Sequence, residues 1–391
     1  LKATPVGKLL SKRDMRKRLQ PVSETQVRRT TWLVSRDESA IELILDEGRV
    51  ISNGREEAIS EIELELKGGP RSELFELSRQ LGQGLTLRMG VMSKSERGFR
   101  LLEGRDGAVR KAEKVRLAAT MSVAEAFAVI VQSCLRHFRL NEPLFQNERN
   151  GRALHQSRVA IRRLRSALAL FKPALLDPEA ARLRAELRWF AAQLGEARDL
   201  DVLLATKPPA GAAPDRAARK QLRRAREEAY GRVQAALGER RLSTLILDLV
   251  AWSEAGAWRC GDLARRPVDG FAADRLERGW KRVRNRAKAL MSLDPEGRHL
   301  LRIEMKKLRY AAEFFVALSR KGRRRQQKLF IRQLERLQEL LGRLNDIETR
   351  RQLAPELFEA SRGADEKEVA GLVDEAGRAW EKLRGIGPYW R

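Results

Sequence analysis

One basic segment occurs twice in this chain of 391 residues, and that internal repeat constrains the fold more than any other feature. The segment His155–Arg165 (HQSRVAIRRLR) aligns without gaps with His299–Arg309 (HLLRIEMKKLR), 144 positions later. A second pair, LGEARDLDVL from Leu194 and LGRLNDIETR from Leu341, follows at an offset of 147 residues. Two motifs at nearly the same offset indicate duplication, because unrelated basic helices would not keep register over such a distance. We therefore expect two similar halves that face each other about a pseudo-dyad.

The repeated segment also predicts how its basic residues are arranged. At about 100° per residue, helix positions i, i+3, i+7 and i+10 fall within an arc of roughly 80°. Both copies are basic at these positions, and an apolar arc that must face a core lies beside them. The first column is His155, Arg158, Arg162 and Arg165, the second column is His299, Arg302, Lys306 and Arg309, and the apolar arc beside the first column is Leu154, Ile161, Leu164, Leu168 and Phe171.

A basic stripe on one helix usually faces solvent, so a single column would predict only a solvated surface. Duplication favours function, because a solubilising face needs no histidine at the head of both columns and because stacked like charges repel unless an anion bridges them. Gly195, Asp199, Gly342 and Asp346 are predicted to end and position helices rather than to touch a ligand. The additional basic candidates, each individually typical of a solvated face, are Arg163, Lys307, Arg219, Arg223, Arg282, Arg332 and Arg336.

The hydrophobic period changes along the chain and separates two regions. Between about residues 25 and 102 apolar and polar residues alternate in RRTTWLV, AIELILDEGRVIS, AISEIELELKGG and RGFRLLEG, which predicts strands. The DEG sequence at 46–48 is predicted to close a hairpin. One helix, capped by Ser72 and ending at Gly82, is predicted to interrupt the strands. The result would be an antiparallel sheet with one strongly charged face.

From Ser122 onward the period is 3.6, which predicts roughly eight to ten helices, interrupted at prolines such as Pro143. Ser122 and Glu125 have the spacing of a capping box. The fold class is therefore α+β, with a helical bundle or pair of bundles after the sheet. The predicted divisions are a basic segment 1–20, a strand region 21–105, a linker 106–120, and a helical region 121–391 with halves at about 121–256 and 270–391.

The charge of the chain is segregated in the same way. Lys and Arg number 79 against 53 Asp and Glu, a formal net charge of +26. Residues 1–20 carry +6, residues 21–110 carry −2 and residues 111–391 carry +22. Such an excess points to a polyanionic partner, which means nucleic acid, an anionic membrane surface or polyphosphate. No run of eighteen apolar residues occurs, so no membrane span is expected.

The two cysteines indicate the compartment. Cys134 and Cys260 are far apart and match neither a disulfide framework nor a metal-ligand spacing. We therefore expect two buried thiols, a reducing environment and a cytoplasmic protein. Association with polyphosphate granules is an open alternative for its location within the cell.

The HQSRVAIRRLR and HLLRIEMKKLRY segments, each followed by an LG…RD or LG…ND element, resemble the CHAD domain, the conserved-histidine α-helical domain, over about residues 120–390. The resemblance implies two four-helix bundles related by pseudo-twofold symmetry, with a basic channel that binds inorganic polyphosphate. It also implies that the two columns are the ligand residues, that sulfate or phosphate can occupy the channel, and that this domain needs no cofactor.

The strand region resembles the C-terminal half of a CYTH domain, the triphosphate tunnel fold. The resemblance implies triphosphate binding by inward basic residues and Mg²⁺ or Mn²⁺ binding by inward acids. With about five or six strands, either strands before Leu1 complete the tunnel or the domain is a degenerate half in which hydrolysis is not expected. The implied phosphate ligands are Arg29, Lys94 and Arg97, and the implied metal-binding wall is Glu42, Asp46, Glu61, Glu63 and Glu65.

The sequence therefore predicts a protein that binds inorganic polyphosphate, or another phosphate polyanion, through its helical region. Whether it is also an enzyme, an inorganic triphosphatase that forms diphosphate and phosphate, is left open, as is its oligomeric state. The alternative is a nonspecific nucleic-acid-binding protein, for which the charge alone suffices. Against that alternative, aromatic residues are 6% of the chain and none interleaves with the columns.

Overall fold

The computed structural model describes residues 18–36, 38–104, 107–205, 216–353 and 362–391. Of the predicted basic segment 1–20, residues 1–17 lie outside this description, as do the KPPAGAAP sequence and Pro355. The chain divides into two compact units between Ala108 and Val109. The first unit contains the sheet and the second is helical, which confirms the predicted α+β class.

The first unit is built on a three-stranded antiparallel sheet. Its strands are β1 (Glu24–Arg36), β2 (Ser39–Ser52) and β3 (Arg55–Gly68), in the order β1-β2-β3. Asn53 and Gly54 join β2 to β3 with positive φ angles of 50° and 71°. A two-residue turn of this kind matches the twist of the flanking strands, and Asn-Gly is its preferred sequence.

The predicted hairpin at 46–48 is wrong, because β2 continues through it. Gly48 pairs with Val27 on one side and Ile59 on the other. A Cβ at Gly48 would lie 2.0 Å from the carbonyl oxygen of Gln26, so only glycine fits between the strands there. The structure holds three strands among the described residues, fewer than the five or six expected.

Two helices complete the first unit. Helix α1 (Arg71–Gly84) was predicted, but it begins after Pro70 without a side-chain cap, so Ser72 is not its cap, and it runs past Gly82. Helix α2 (Lys94–Glu103) replaces the strand predicted from RGFRLLEG. Ser93 and Glu96 form a capping box that begins α2. Leu101 of α2 joins Val50 and Ile59 in the core.

The second unit contains two successive groups of helices. The first group is α3 to α7, the second is α8 to α11, and α4 packs against α9 across the two. The labelled helices of this part of the described chain are α3 (Val123–Glu148), α4 (Gly151–Leu170), α5 (Glu179–Ala205), α6 (Arg216–Gly238), α7 (Arg240–Ala255), α8 (Val268–Arg286), α9 (Pro295–Phe314), α10 (Arg324–Leu353) and α11 (Arg362–Ile386).

The repeat is visible in the helices themselves. Helices α4 and α9 each have 20 residues, and both ends are related by the 144-residue offset of the sequence repeat. The residues that follow them, Phe171 and Phe315, are also equivalent, and their ring centroids lie 6.0 Å apart. Contact between equivalent residues is typical of two copies related by a twofold axis.

The apolar arc predicted beside the first column is confirmed, because Leu154, Ile161, Leu164, Leu168 and Phe171 are all at most 3% exposed. Each such side chain contributes about 1.5–3 kcal/mol when fully buried. These contacts fix the rotation of α4 about its axis and hence the direction of its basic residues.

The boundaries of the helices confirm some predictions and correct others. Ser122 and Glu125 form the predicted capping box of α3. Pro143 lies inside α3 and does not break it, so that prediction is wrong. Residues 107–120 form no helix or strand, but the backbone N–H of Arg110 donates to Oδ1 of Asn141, 2.9 Å away. This segment is thereby held against α3.

The cysteine prediction is half right. Cys134 is buried, whereas Cys260 is exposed at the end of a one-turn 3-10 helix, Ala257–Cys260. Among the described helices, none combines the length and the apolar character that crossing a bilayer requires.

Candidate functional site

The two columns converge where α4 packs against α9. The amine of Lys306 in the second column feels the charges of Arg158 and Arg162 in the first, together with Arg302 and Arg309 of its own. Burial, and then these four guanidinium groups, lower the pKa of Lys306 to about 7. A shift in this direction means that these surroundings disfavour the ammonium form compared with that of an exposed lysine. The structure thus brings Arg158 and Arg162 of the first column and Arg302, Lys306 and Arg309 of the second into one positive site.

Arg302 is a second cation of the site whose charge is not fully compensated. Its side chain is half-buried, and its Nε is buried with no hydrogen-bond partner among the residues that the structure describes. Burial, partly offset by Asp346 and increased by Arg162, lowers the pKa of Arg302. A buried donor without an acceptor is costly, and an anion that accepts from it removes the cost.

The histidines that head the columns have different surroundings. His155 is half-buried, and its burial, followed by the charges of Arg198, Arg162 and Arg158, lowers its pKa. It is therefore neutral at pH 7 and offers a hydrogen bond rather than a charge. His299 is exposed, and its Nδ1 lies 2.7 Å from Oδ1 of Asn345.

The glycines of the LG motifs lie beside arginines of the two columns. A Cβ at Gly342 would lie 3.5 Å from an Nη of Arg302, and one at Gly195 would lie 3.9 Å from an Nη of Arg158. Both glycines are inside helices, α10 and α5, so the prediction that these motifs end helices is wrong. Asp199 and Asp346, four residues after these glycines, lie inside the same two helices.

Arg158 has such an acidic partner. Its Nη1 donates to Oδ1 of Asp199, 2.7 Å away. In the second copy, Asp346 acts on Arg302 by its charge. The equivalent pairs therefore recur in both halves, which is what duplication of the two helices predicts.

Tyr310 and Glu313 connect the two columns. Nε of Arg162 donates to Oη of Tyr310 at 2.8 Å. Arg309 donates to Oε1 of Glu313 at 2.5 Å and to Oε1 of Gln338 at 2.8 Å. Arg163, a predicted additional ligand, is 6% exposed and donates to Glu313, so the structure places it in the interior between the halves.

The other basic candidates lie at the periphery. Arg165 is exposed, with a pKa lowered by burial of part of its side chain and by Arg188. Lys307 and Arg282 both donate to Glu304, at 2.6 and 2.8 Å. The remaining candidates are exposed: Arg336 pairs with Glu375 and Glu339, Arg219 donates to the Leu204 carbonyl, and Arg223 and Arg332 lie on solvated faces.

Sequence reasoning missed Arg198, Tyr310 and Asn345. A signal for two of them was present, since the 147-residue offset that aligns the LG motifs also aligns Arg198 with Asn345. Each stands beside the histidine of its own half, as a charge on His155 and as a hydrogen-bond partner of His299. The connecting role of Tyr310 depends on contact between the halves and has no sequence signal.

The first unit has a site of its own, on one face of the sheet. Arg29, Asp46 and Glu61 are directly opposite one another on β1, β2 and β3. Arg29 donates to both carboxylate oxygens of Asp46, at 2.7 and 2.6 Å, and these bonds are the largest cause of the lowered pKa of Asp46. Helix α2 adds two more cations, because Lys94 contacts Asp46 at 2.7 Å and Arg97 pairs with Glu61.

The predicted metal-binding wall divides into two groups. Asp46, Glu61 and Glu63, the acid trio, offer oxygens within 4.8 Å of one another. Glu42 and Glu65 instead share Lys67, at 2.8 and 3.0 Å.

The acid trio has the donor atoms that Mg²⁺ or Mn²⁺ prefers. However, the ammonium group of Lys94 contacts all three carboxylates. With Arg29 and Arg97 beside it, three cations balance three anions. As arranged, the trio fits an ammonium group and not a divalent ion, so we derive no metal-dependent step from it.

Comparison with known proteins identifies the family of the helical unit. The sequence model of the CHAD domain matches residues 129–355, which include both columns and both LG motifs. The chain belongs to the CHAD domain family. The family predicted from the repeat is thereby confirmed. The crystal structure of the CHAD domain from the plant Ricinus communis superposes with a TM-score of 0.57 at 30% identity, covering 71% of this chain and 95% of that one.

A curated relative matches a smaller part of the chain. The inorganic triphosphatase of Haemophilus influenzae is 40% identical over 83 residues, 21% of this chain. The matched segment spans 24% of that relative's length.

Proposed function

We propose that the protein binds inorganic polyphosphate, or a closely similar linear phosphate polyanion, between its two columns. The observation that carries this proposal is the convergence on Lys306 of four arginines from both columns. Such a cluster is costly while it is empty, and a chain of phosphates neutralises it. Guanidinium groups bind phosphate oxygens bidentately, and Lys306 adds a point charge.

The arrangement favours a linear ligand. The columns lie on two helices that pack against each other, so successive phosphates can contact arginines of both halves at once. Binding then releases counterions along the chain, which makes the affinity strongly dependent on salt. His155, being neutral, supplies a hydrogen-bond donor at the head of its column.

Nucleic acid is the competing ligand. The aromatic residue that touches the columns, Tyr310, is 1% exposed and cannot stack on a base. We therefore expect polyphosphate to displace DNA when both are present at equal phosphate concentration. Displacement of polyphosphate by DNA under those conditions would favour the nucleic-acid function.

The test is a pair of charge-removing substitutions. Arg302→Gln deletes a guanidinium inside the site, whereas Arg278→Gln deletes an exposed one that pairs with Asp274 at 2.9 Å. A hydrogen bond to a charged group is worth about 1.5–3 kcal/mol, so R302Q should raise the Kd for long-chain polyphosphate about ten- to a hundredfold. R278Q should change it less than about twofold. Equal Kd values for R302Q and wild type, at unchanged Tm, would overturn the proposal.

A second candidate function, hydrolysis of triphosphate, is favoured by the 40% identity to an inorganic triphosphatase over 83 residues. The acid trio and its basic partners are where the first unit would act. Phosphate release from tripolyphosphate, measured with Mg²⁺, with Mn²⁺ and without either, tests it. Asp46→Asn should abolish the release and Glu56→Gln, an exposed carboxylate on β3, should not. No release by the wild-type chain in any condition would exclude this function for it.

A further inference from the structure

Lys306 is unusual among the cations of the site because of what its amine does not contact. The side chain is half-buried, and no hydrogen bond or ion pair of its Nζ is found among the described residues. Its neighbour in sequence provides the contrast, since Lys307 is exposed and its Nζ donates to Oε1 of Glu304 at 2.6 Å. These two adjacent lysines of one helix therefore differ in both the burial and the pairing of their amines.

The groups facing Lys306 are cationic on both helices that form the site. Arg158 and Arg162 approach from α4, and Arg302 and Arg309 from α9. The nearby acids are engaged elsewhere: Asp199 accepts from Arg158, and Glu313 accepts from Arg163 and Arg309. Asp346 on α10 acts on Arg302. The amine is thus surrounded by guanidinium groups.

These surroundings give the amine two properties that rarely occur together. Burial and neighbouring cations lower its pKa to about 7, so a large share of Lys306 is neutral near physiological pH. A neutral amine has a free lone pair and is a nucleophile, which an ammonium group is not. The same arginines attract anions to its side. An electrophile that carries a phosphate group would be both concentrated and positioned there.

We propose that Lys306 is a covalent modification site at which acyl phosphates transfer their acyl group to the amine, with the phosphate held by the flanking arginines. The proposal rests on the anion binding argued above. The Nζ lone pair attacks the carbonyl carbon, a C–N bond forms, and the C–O bond of the mixed anhydride breaks. Inorganic phosphate leaves with the electron pair of that bond, and the proton lost from nitrogen passes to the phosphate or to water.

The modification has a consequence for the ligand of the site. An amide nitrogen cannot be protonated, so acylation removes the charge that Lys306 gains when a polyanion binds. Acylated protein should therefore bind polyphosphate more weakly than unmodified protein does. Such a reaction would connect occupancy of the site to the supply of activated acyl groups.

The experiment uses the full chain and acetyl phosphate at about pH 7.5, with acetylation of each lysine followed by mass spectrometry. We expect Lys306 to be acetylated at least about tenfold faster than Lys307, although Lys307 is more exposed. Added tripolyphosphate should slow the reaction at Lys306 and leave Lys307 unchanged. Equal or faster acetylation of Lys307 would overturn the proposal.

A reagent without a phosphate distinguishes binding of the reagent by the arginines from the nucleophilicity of the Lys306 amine. The N-hydroxysuccinimide ester of acetic acid lacks a phosphate, so its Lys306-to-Lys307 rate ratio should be lower than that of acetyl phosphate. An equal ratio would show that the arginines do not hold the reagent, and would refute the docking step.

Failure of this inference and failure of the proposed function have different signatures. Polyphosphate binding without acetylation of Lys306 would refute the modification alone. Acetylation of Lys306 in a protein that does not bind polyphosphate would refute the proposed function alone.

Discussion

Nε of Arg162, in the first column, donates a hydrogen bond of 2.8 Å to Oη of Tyr310, on the helix that carries the second column. The guanidinium of Arg309 lies 4.8 Å from the centroid of the same ring. A single buried tyrosine therefore orients one arginine from each copy of the repeat. The geometry of the site depends on this contact between the halves as well as on either helix by itself.

Tyr310→Phe should weaken both folding and binding. Loss of the hydroxyl leaves Arg162 without this acceptor, which costs about 1 kcal/mol of the free energy of unfolding. Because Arg162 is then less well oriented, we expect the Kd for polyphosphate to rise several-fold. Urea denaturation and calorimetric titration measure the two effects. Tyr389→Phe is the control, a buried tyrosine packed on Phe330 and Trp390, and it should leave the Kd unchanged. Unchanged binding by Y310F would mean that this hydrogen bond does not position Arg162.

Replacement of Lys306 should change the dependence of stability on pH. The pKa of Lys306 is about 7 in the folded protein, against roughly 10.4 for an unfolded lysine. Between these values the unfolded chain binds more protons, so the stability of the wild type rises with pH. The penalty of the buried charge is complete below about pH 7 and is lost as pH rises to about 10.

Lys306→Met should therefore raise the free energy of unfolding most at about pH 6, with the gain shrinking towards pH 10. Chemical denaturation across this range measures it. Lys307→Met removes an exposed lysine paired with Glu304 and should show no such gain. A gain for K306M that is the same at every pH would contradict the explanation.

Gly342 should tolerate a methyl group but not a large side chain. A Cβ there would be in ordinary contact with Arg302 at 3.5 Å, and alanine favours a helix over glycine by about 1 kcal/mol, so Gly342→Ala should stabilise the protein. Gly342→Leu would displace the Arg302 guanidinium and should raise the Kd for polyphosphate at least about tenfold. Gly371→Leu is the control, because no atom lies within 4 Å of a Cβ at Gly371. If G342L bound polyphosphate with wild-type affinity, the position of the Arg302 guanidinium would not matter for binding.

Removal of Lys94 should create affinity for a divalent ion in the first unit. Lys94→Gln leaves Asp46, Glu61 and Glu63 with a net negative charge and with oxygens within 4.8 Å of one another. We expect Mn²⁺ to bind this variant at least about tenfold more tightly than wild type, measured by electron paramagnetic resonance. Lys67→Gln, which frees only Glu42 and Glu65, is the matched control. If K94Q gained no affinity over wild type, the ammonium group would not be what excludes the ion.

Most residues of the helical site could be predicted because the sequence repeats the segments that contain them. The offset identified the two columns, and the apolar arc of α4 fixed which way the first column faces. The convergence on Lys306 was not predictable, because it depends on how α4 and α9 pack across the halves. No periodicity along one helix contains that information.

The first unit shows how competing local signals mislead. RGFRLLEG alternates well enough to suggest a strand, yet Ser93 and Glu96 just before it have capping-box spacing, and α2 forms there. The DEG sequence at 46–48 has turn-forming residues, but Asp46 is buried in ion pairs and the Asn53-Gly54 turn ends β2 instead. In both cases a second local signal, the capping box or the Asn-Gly turn, prevailed over the first.

The two columns match at three of their four positions and differ at one, where Arg162 of the first is Lys306 of the second. A guanidinium keeps its charge at every physiological pH, whereas an amine in these surroundings gives it up near neutrality. At this one position the first column therefore has a fixed charge and the second an adjustable one. The two halves of the site therefore differ chemically, although they arose by duplication. A ligand with two identical ends contacts a different cation in each half.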